Sequence, residues 1–356
     1  MEKTTKLRIR PGGWAVLLLA LLCALLCSCQ SAAEPEAPDA QEQAAPLPEP
    51  EPEPEPDYHM HQNFMAASDG FFRPDEPLRR VDCAQLLYNL TQDMPRSAEP
   101  AQYDDVLPGY WYYEAVSAMG GYLPQEEGET RFFPGEAITP DAFVAALLAA
   151  LGKTEQSAPP ALLQAAQALT PDGVQEGEPP APAPLTRAQA AVLVNRALGR
   201  EPDAEAVGSV RRSLLLDVPE DRADYADLVE AVLPHEYYLD GTDTQEHYRA
   251  DALNALSWAP GLHLSGTSGY FVGSDGRVAR GTGFLDVQGR RYYRCDESGR
   301  IVADYAPHYV EGHAVFIRAD GILRRSCTFG EYRYDENGFY TTGSPDLDDK
   351  LDAFIA

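Results

Sequence analysis

The sequence predicts a multidomain protein: a disordered N-terminus, a mainly α-helical bundle of three repeats, and a small all-β module of stacked hairpins. Three observations support this fold class. Glu and Pro alternate near the N-terminus, an apolar helical pattern with a similar opening occurs three times in the middle, and turn dipeptides alternate with aromatic segments near the C-terminus. Only the helical and aromatic regions have enough apolar residues to build a core.

Residues 1–28 have the pattern of an export signal. Basic residues precede an apolar run that is shorter than the roughly 20 residues of a membrane span, and Leu26-Cys27-Ser28-Cys29 follows. This end resembles the lipobox of bacterial lipoproteins, which implies cleavage before Cys29 and lipidation of its sulfur. The alternatives are an uncleaved signal anchor and an ordinary signal peptide.

Residues 29–57 are rich in Pro and Glu and are expected to form an extended, disordered spacer. The formal net charge of the chain is -28, whereas residues 265–343 have 10 Arg against 10 Asp and Glu. The negative charge therefore lies in the spacer and in the middle of the chain. Because phosphate binding requires clustered Lys and Arg, nucleic acid is not an expected partner.

The remaining cysteines and the first two histidines form no motif for a metal site or a catalytic site. Cys83 falls in a predicted helix, where it is expected to be a small buried side chain. Cys295 and Cys327 lie in one module and could pair in an oxidising compartment or remain free thiols. His59 and His61 form an exposed His-x-His pair without further ligands nearby in the sequence, so we predict no metal site.

Three segments share the pattern of an amphipathic helix with a defined start. The second copy has Thr139 at the N-cap and Pro140 at the first helical position, and the third has the capping-box pair Thr186 and Gln189. The first copy has Arg79 at the cap position and lacks a good cap. The predicted apolar faces are Val81, Ala84, Leu87 and Leu90 in the first copy, Phe143, Val144, Leu147, Leu148 and Leu151 in the second, and Ala191, Val192, Val194 and Leu198 in the third.

A second, shorter helical pattern stands between these copies. Tyr-Asp-Asp-Val at residues 103–106 opens it, Trp111 follows, and a similar outline beginning at Asp217-Val218 comes after the third copy. The loops Asp-Gly-Phe-Phe-Arg-Pro at 69–74 and Phe-Phe-Pro at 132–134 precede the first two long helices.

Together these elements resemble the S-layer homology domain of bacterial surface proteins, over residues 58–234. That family has a Phe/Tyr-x-Asp-Val opening, a Trp, an Asp-Gly-x-Phe-x-Pro loop and a helix beginning Ile/Leu-Thr-Arg-Ala-Glu. The resemblance implies three repeats around a pseudo-threefold axis that bind the secondary cell-wall polymer, often through a pyruvylated sugar. Arg80 and Arg187 occupy the family's Arg position and Trp111 its Trp position, which makes these three the predicted glycan-binding residues.

A planar guanidinium suits this task because it matches a carboxylate in bidentate fashion. The bland alternatives are a solvated Arg in a first helical turn and a Trp that packs in the core. The second copy has Pro140 at the Arg position, and the loop of the third copy is degraded.

Because the repeat region begins with a second half-repeat and ends with a first half-repeat, we also expect residues 213–233 to pack beside the first helix and close the domain.

Residues 235–263 are interpreted as a connector, 264–343 as the hairpin module and 344–356 as an acidic tail. The module resembles the cell-wall-binding repeats of choline- and glucan-binding proteins, most clearly at residues 289–299. Trp258 is the last Trp and lies outside the module, which argues against a choline cage, since Trp is the strongest cation-π partner. The predicted turns, one for each repeating unit, are Asp275-Gly276, Ser298-Gly299, Asp320-Gly321 and Asn337-Gly338.

No nucleophile, phosphate-loop or metalloprotease motif is present, so we interpret the chain as non-enzymatic, with no cofactor. The expected protein is extracellular, lipid-anchored at the outer face of the cytoplasmic membrane of a Gram-positive bacterium, and bound to wall polysaccharide through its repeats. The alternative is an envelope interaction scaffold or accessory subunit whose degenerate repeats have no glycan affinity. The sequence identifies no protein partner.

Overall fold

The computed structural model describes residues 55–92, 102–169, 183–241 and 245–342. The predicted signal peptide, the lipidation site Cys29, nearly all of the spacer and the acidic tail lie outside these residues. Within the described ranges, no helix is both long enough and apolar enough to span a bilayer.

Seven α-helices occupy the first part of the described chain. Short 3-10 helices at Gly120–Tyr122, Glu155–Ser157 and Ala252–Ala255 accompany them. The α-helices are α1 Arg80–Leu90, α2 Tyr113–Met119, α3 Pro140–Ala150, α4 Pro160–Gln167, α5 Arg187–Leu198, α6 Ala204–Ser209 and α7 Tyr225–Val232.

The starts of the long helices follow their sequence signals. In α5 the Thr186 hydroxyl accepts the Gln189 N–H at 3.2 Å, and the Gln189 side-chain oxygen accepts the Thr186 N–H at 2.9 Å, so the predicted capping box is formed. In α3 the Thr139 hydroxyl accepts the Ala142 N–H at 3.4 Å, and Pro140 is the first helical residue. Helix α1 begins after Arg79 without a side-chain cap bond, as its sequence predicts.

The three long helices meet at a ring of backbone hydrogen bonds. The Leu78 N–H donates to the Leu185 carbonyl at 2.7 Å, Leu185 donates to Ile138 at 2.8 Å, and Ile138 donates back to Leu78 at 2.9 Å. All three residues are buried, and each lies two positions before the start of its helix. The three copies are therefore joined in a cycle.

In the second copy, the opening half holds the following loop through Asp105. The two oxygens of Asp105 accept the N–H groups of Phe132 and Phe133 at 2.6 and 2.8 Å. Phe133 has a positive φ of 55°, so the carboxylate holds a tight bend in the loop that leads to α3.

The last half-repeat makes the same contact with the first loop. The two oxygens of Asp217 accept the N–H groups of Phe72 and Arg73 at 2.8 and 2.6 Å, and Arg73 has a φ of 57°. A Cβ on the neighbouring Gly70 would lie 2.9 Å from the Leu216 side chain, so this loop requires glycine there. Segment 213–233 thus meets the loop before α1, whereas its helix α7 packs against α5. Closure runs through the loop and not along the first helix.

A single apolar core runs through the helices and includes the fully buried Cys83. Its largest completely buried members are aromatic and leucine side chains from all three copies. They include Phe64, Phe72, Phe132, Phe143, Leu78, Leu87, Leu147, Leu185, Leu193 and Leu214.

A small antiparallel sheet joins the two ends of the helical region. It has the strand order β1-β2-β3, with β1 at His59–His61, β2 at His235–Leu239 and β3 at Glu246–Tyr248. In its register His61 lies opposite His235. The segment predicted as a connector, 235–263, therefore contains two strands of this sheet and the start of the next strand.

Ten further strands form the C-terminal region. They make a five-stranded sheet of order β4-β5-β8-β7-β6, a hairpin β9-β10 and a three-stranded sheet β11-β12-β13, all antiparallel. The bounds are β4 Gly261–Ser265, β5 Ser268–Val272, β6 Gly283–Val287, β7 Arg290–Arg294, β8 Ile301–Val302, β9 Ala306–Val310, β10 His313–Ile317, β11 Cys327–Phe329, β12 Tyr332–Tyr334 and β13 Tyr340–Thr341.

The prediction of one turn for each unit of this region is wrong. The predicted dipeptides do form turns; for example, the Gly299 N–H donates to the Asp296 carbonyl at 3.0 Å. The tips of hairpins β6-β7 and β9-β10 are instead Gln288-Gly289 and Glu311-Gly312. Both residues of each tip have positive φ, as in two-residue type I′ loops.

The strands pack against the end of the helical region. The Ser213 N–H donates to the Gly276 carbonyl at 3.0 Å, and the Ser213 hydroxyl accepts the Val278 N–H at 3.0 Å. Arg280 donates to the Leu216 and Val218 carbonyls at 2.7 and 2.8 Å. An apolar cluster across this contact comprises Phe71, Leu216, Tyr270, Val272 and Val278, with Trp258 against it.

Cys295 and Cys327 are free thiols in the structure, so the disulfide considered from the sequence is not formed. Cys295 follows β7 in the five-stranded sheet, whereas Cys327 begins β11 in the three-stranded sheet. The Cys295 thiol lies 3.8 Å from a carboxylate oxygen of Asp296 instead.

Candidate functional site

Arg187 lies at the start of α5 and reaches across to the loop of the first copy. Its Nε donates to the Phe72 carbonyl at 2.9 Å and its Nη2 to the Ala66 carbonyl at 3.1 Å. The guanidinium also lies over the Phe72 ring, 5.3 Å from the centroid. The side chain therefore holds the first loop against the third repeat.

Arg80 occupies the equivalent position at the start of α1. Its guanidinium donates to the Phe132 carbonyl at 2.7 Å, the Pro124 carbonyl at 3.0 Å and the Gln125 side-chain oxygen at 3.3 Å. It lies 4.9 Å from the centroid of the Phe132 ring. Among the described residues, neither Arg80 nor Arg187 has an ion-pair partner.

The backbone N–H groups at these helix starts are already used. In α5, the Arg187 N–H donates to the Glu76 carbonyl at 3.0 Å and the Ala188 N–H to the Pro74 carbonyl at 2.9 Å. Helix α1 makes the equivalent bonds to the loop of the second copy. Because loop carbonyls occupy the helix ends, the positive charge available to a ligand is that of the guanidinium.

A groove of about 330 Å³ brings together two of the three predicted site residues, Arg187 and Trp111. Trp111 is 66% exposed and rests edge-on against Tyr112, with ring centroids 5.3 Å apart, so it is not a core residue. Arg80 belongs to the next junction between repeats. The groove lies between the first loop and the outer face of α1, and its polar lining includes Arg73, Glu76, Arg79, Asp82, Gln85 and Asn89.

Arg187 forms no ion pair with the other charged residues of this groove, although the nearby carboxylates of Asp82 and Glu76 favour its charge. Arg79 forms a bidentate pair with Asp82 at 2.8 and 3.0 Å, and Arg73 lies 3.9 Å from Glu76. Burial lowers the pKa of Arg187, which means that the surroundings disfavour its charge. A carboxylate ligand would relieve that cost.

Arg187 still has donors for such a ligand. A guanidinium has five N–H donors, and the bonds to Phe72 and Ala66 use one on Nε and one on Nη2. Within the part of the chain that the structure describes, the remaining N–H groups of the guanidinium donate no hydrogen bond. Two adjacent N–H groups are what bidentate recognition of a carboxylate requires.

The third junction between repeats differs from the other two. Pro140 stands where the other copies have Arg, so α3 supplies neither a guanidinium nor a backbone N–H at that position. The loop that would face it includes residues 170–182, which lie outside the described ranges.

In the hairpin region, an internal cation occupies an aromatic box. The Arg324 guanidinium lies 3.7 Å from the ring centroid of Phe329, 5.1 Å from that of Phe316 and 5.9 Å from that of Tyr305. Aromatic cages of this kind hold quaternary ammonium ligands by cation-π attraction. Since Arg324 fills this cage, a choline group has no place in it.

The same region has a broad cleft of about 1080 Å³ between its sheets. Its charged lining consists of Arg290, Arg318, Arg324, Arg325 and Asp320. Arg318 pairs with Asp320 at 2.8 Å, and Arg325 lies 3.4 Å from Asp286. The cleft is basic and thus complementary to an anionic chain.

The sequence did not predict one cluster of side chains that commonly bind metal ions. His61, Glu230 and His235 come together where β1 pairs with β2. The first two are 169 residues apart in the chain, so no spacing motif could have found them.

No protein-family model and no curated protein matches the chain. Solved structures similar to part of it include the choline binding domain of Spr1274 from Streptococcus pneumoniae, with 25% sequence identity and a TM-score of 0.20, covering 23% of this chain and 95% of that one. CbpJ from Streptococcus pneumoniae has 21% identity and a TM-score of 0.20, covering 30% of this chain and 31% of that one. Choline binding protein F from the same species has 20% identity and a TM-score of 0.21, with coverages of 30% and 31%. The matched part thus spans less than a third of the last two proteins.

Proposed function

We propose that this protein is a non-catalytic protein of the cell envelope that binds an acidic wall polysaccharide in the groove of Arg187 and Trp111. The observation that carries the proposal is the convergence in one groove of an exposed indole and a guanidinium that, among the described residues, has no ion-pair partner.

Each part of the groove suits one part of an acidic sugar. The Trp111 indole offers a flat apolar face for a sugar ring, and Arg187 offers paired donors for a carboxylate such as that of a pyruvyl group. The amides of Gln85 and Asn89 line the same groove and suit hydroxyl groups.

The overall charge opposes binding of an acidic polymer, but the local charge favours it. The chain has a formal net charge of -28, whereas the groove has the guanidinium groups of Arg73, Arg79 and Arg187 against the carboxylates of Glu76 and Asp82. Repulsion from distant carboxylates is screened beyond about 8 Å at physiological ionic strength. The groove lining itself therefore has one more positive than negative charge at contact distance.

The proposal includes a lipid anchor at Cys29 and a location at the outer face of the cytoplasmic membrane and in the wall. The basic cleft between the C-terminal sheets would supply a second contact with anionic wall polymer. Two weak contacts on one tethered chain gain affinity through effective concentration.

A second candidate function is an interaction scaffold or accessory subunit without glycan affinity. Pro140 and the existing hydrogen bonds of Arg80 and Arg187 to loop carbonyls favour it. In that case both arginines serve only to join neighbouring repeats.

The test is co-sedimentation of the purified chain with sacculi that retain their wall polymer. We expect Trp111→Ala and Arg187→Ala to weaken binding at least about tenfold, which corresponds to about 1.4 kcal/mol. Trp111→Ala is the more informative variant, because an indole with 66% exposure contributes little to folding. Binding of Trp111→Ala at the wild-type level would refute the groove.

Arg80→Ala is the matched variant for the structural role of Arg187, because it also removes bonds to loop carbonyls. We expect it to lower the melting temperature as Arg187→Ala does while retaining most of the binding. A loss of binding with normal melting would instead make Arg80 part of a second groove, as the sequence resemblance implies. If the wild-type chain does not sediment with sacculi, the scaffold function is favoured.

A further inference from the structure

A buried cluster of side chains that commonly bind metal ions lies where β1, the strand before the first repeat, pairs with β2, the strand after the last repeat. The His61 Nδ1 lies 2.9 Å from one oxygen of Glu230, and the His235 Nε2 lies 3.2 Å from the other. The ligand atoms of the three residues are all within 4.8 Å of one another. Zinc bonds to imidazole nitrogen and carboxylate oxygen measure about 2.0–2.2 Å. Two ligand atoms bound to one zinc ion are therefore a few ångströms apart, as the ligand atoms of this cluster are.

The orientation of His235 is the first observation that favours a cation site. Its Nδ1 lies 2.8 Å from the Leu233 carbonyl, which can only accept, so Nδ1 carries the proton. In the neutral ring Nε2 then presents a lone pair; this atom is buried and has no hydrogen-bond partner within the described ranges. A lone pair facing a carboxylate oxygen of Glu230 at 3.2 Å is repulsive unless a proton or a metal ion lies between them. Metal-bound histidines are commonly fixed through the other ring nitrogen in this way.

A second unpaired atom points to the same place. Glu246 on β3 is buried, and its Oε2 likewise lacks a hydrogen-bond partner among the described residues. That oxygen lies 3.7 Å from the His61 Nδ1. Two buried polar atoms without a hydrogen-bond partner, each near a member of the same cluster, are unusual, because buried polar groups are normally paired.

The neighbouring charges leave room for a dication. Arg200 donates to one oxygen of Glu230 at 3.2 Å, and the Tyr248 hydroxyl donates to the other at 2.7 Å. A carboxylate has about four lone-pair positions, so both bonds are compatible with a metal bond. Among the described residues, the carboxylate of Glu230 pairs with one guanidinium, that of Arg200, and the two imidazoles are neutral when they ligate.

We propose that His61, Glu230 and His235 bind one divalent transition-metal ion, Zn²⁺ foremost, with Glu246 as a neighbouring carboxylate outside the set of three ligands. Two imidazoles with carboxylate oxygens suit Zn²⁺, whereas Ca²⁺ and Mg²⁺ take oxygen ligands. The ion joins β1 to β2 and α7 and so fastens the two ends of the helical region together. This role is independent of the glycan-binding function.

The experiment uses the full chain with its accessible thiols alkylated, stripped with a chelator and then titrated with ZnCl₂ against a chromophoric chelator. We expect one Zn²⁺ per chain that excess Ca²⁺ or Mg²⁺ does not displace. Because the ion binds only the folded state, saturation should raise the melting temperature by at least about 3 °C. A chain that takes up no stoichiometric Zn²⁺ and melts unchanged would overturn the proposal.

Variants distinguish binding at the buried site from adventitious binding at the surface around His59. His235→Ala and His61→Ala should abolish stoichiometric binding, and Glu246→Gln should weaken it about tenfold or more. His59→Ala is the matched control, since His59 lies on the same strand but is exposed, and it should bind as the wild type does. Loss of binding in His59→Ala with retention in His235→Ala would identify an adventitious surface ion. If His235→Ala does not fold, His61→Ala decides the matter, because its side chain is partly exposed.

Discussion

The closure of the helical region by Asp217 predicts a large and specific loss of stability in Asp217→Ala. The carboxylate accepts the N–H of Phe72 at 2.8 Å and that of Arg73 at 2.6 Å. Removing it leaves two N–H groups without acceptors in a loop whose Arg73 has a positive φ of 57°.

The size of the loss follows from the surroundings of the two bonds. The bond to Phe72 is partly buried and has a charged acceptor, which contributes about 1.5–3 kcal/mol. The bond to Arg73 is exposed, where about 0.5–1.5 kcal/mol is typical. We therefore expect Asp217→Ala to lower the free energy of unfolding by about 2–4.5 kcal/mol.

Urea unfolding followed by circular dichroism at helical wavelengths measures this change. Asp105→Ala removes the equivalent pair of bonds to Phe132 and Phe133 and should cost a similar amount. Asp221→Ala removes the same charge from an exposed site of the closing segment and should change stability by no more than about 0.5 kcal/mol. A cost for Asp217→Ala below about 1 kcal/mol, or equal to that of Asp221→Ala, would refute closure through this carboxylate.

Three further predictions concern buried groups and turns. Burial raises the pKa of Glu246 from 4.5 to about 7, so between these pH values the metal-free folded state retains a proton that the unfolded chain releases. The free energy of unfolding should therefore fall as the pH rises from about 4.5 to about 7. Urea midpoints measured across this pH range should show the fall in the wild type and not in Glu246→Gln. Burial also raises the pKa of the Cys83 thiol, and mass mapping after iodoacetamide treatment should find Cys327 labelled in the native protein but Cys83 only after unfolding. A Cβ at Gly299 would lie 2.2 Å from a backbone oxygen, whereas one at Gly289 meets nothing within 4 Å, although both have positive φ. Gly289→Ala should therefore cost about 1 kcal/mol of unfolding free energy and Gly299→Ala at least twice that; equal costs would contradict the steric argument.

Local signals in the sequence predict the helix starts well. Thr186 and Gln189 satisfy each other within one turn, so their pattern needs no knowledge of the rest of the fold. The matching openings at Asp105 and Asp217 also predict that the last half-repeat completes the first. The sequence does not reveal that the contact is made with the loop before α1, because the bonded atoms are backbone N–H groups, which every residue type supplies.

Two features could not be predicted, for different reasons. The hairpin tips at Gln288-Gly289 and Glu311-Gly312 lack the Asn or Asp that normally marks a type I′ turn, whereas Asp-Gly and Asn-Gly occur in the other turns. The cluster of His61 with Glu230 depends on the pairing of two strands at opposite ends of the helical region. Only the three-dimensional fold brings such distant residues together.

The cycle through Leu78, Leu185 and Ile138 limits how this architecture can change its size. In an open solenoid each unit contacts only its neighbours, and the array can grow or shrink at its ends. Here each copy donates one bond to another copy and accepts one from the third, so there is no terminal unit to add to or remove. Deleting one copy would leave one backbone N–H donor and one carbonyl acceptor without partners. The geometry of the cycle therefore fixes the number of copies.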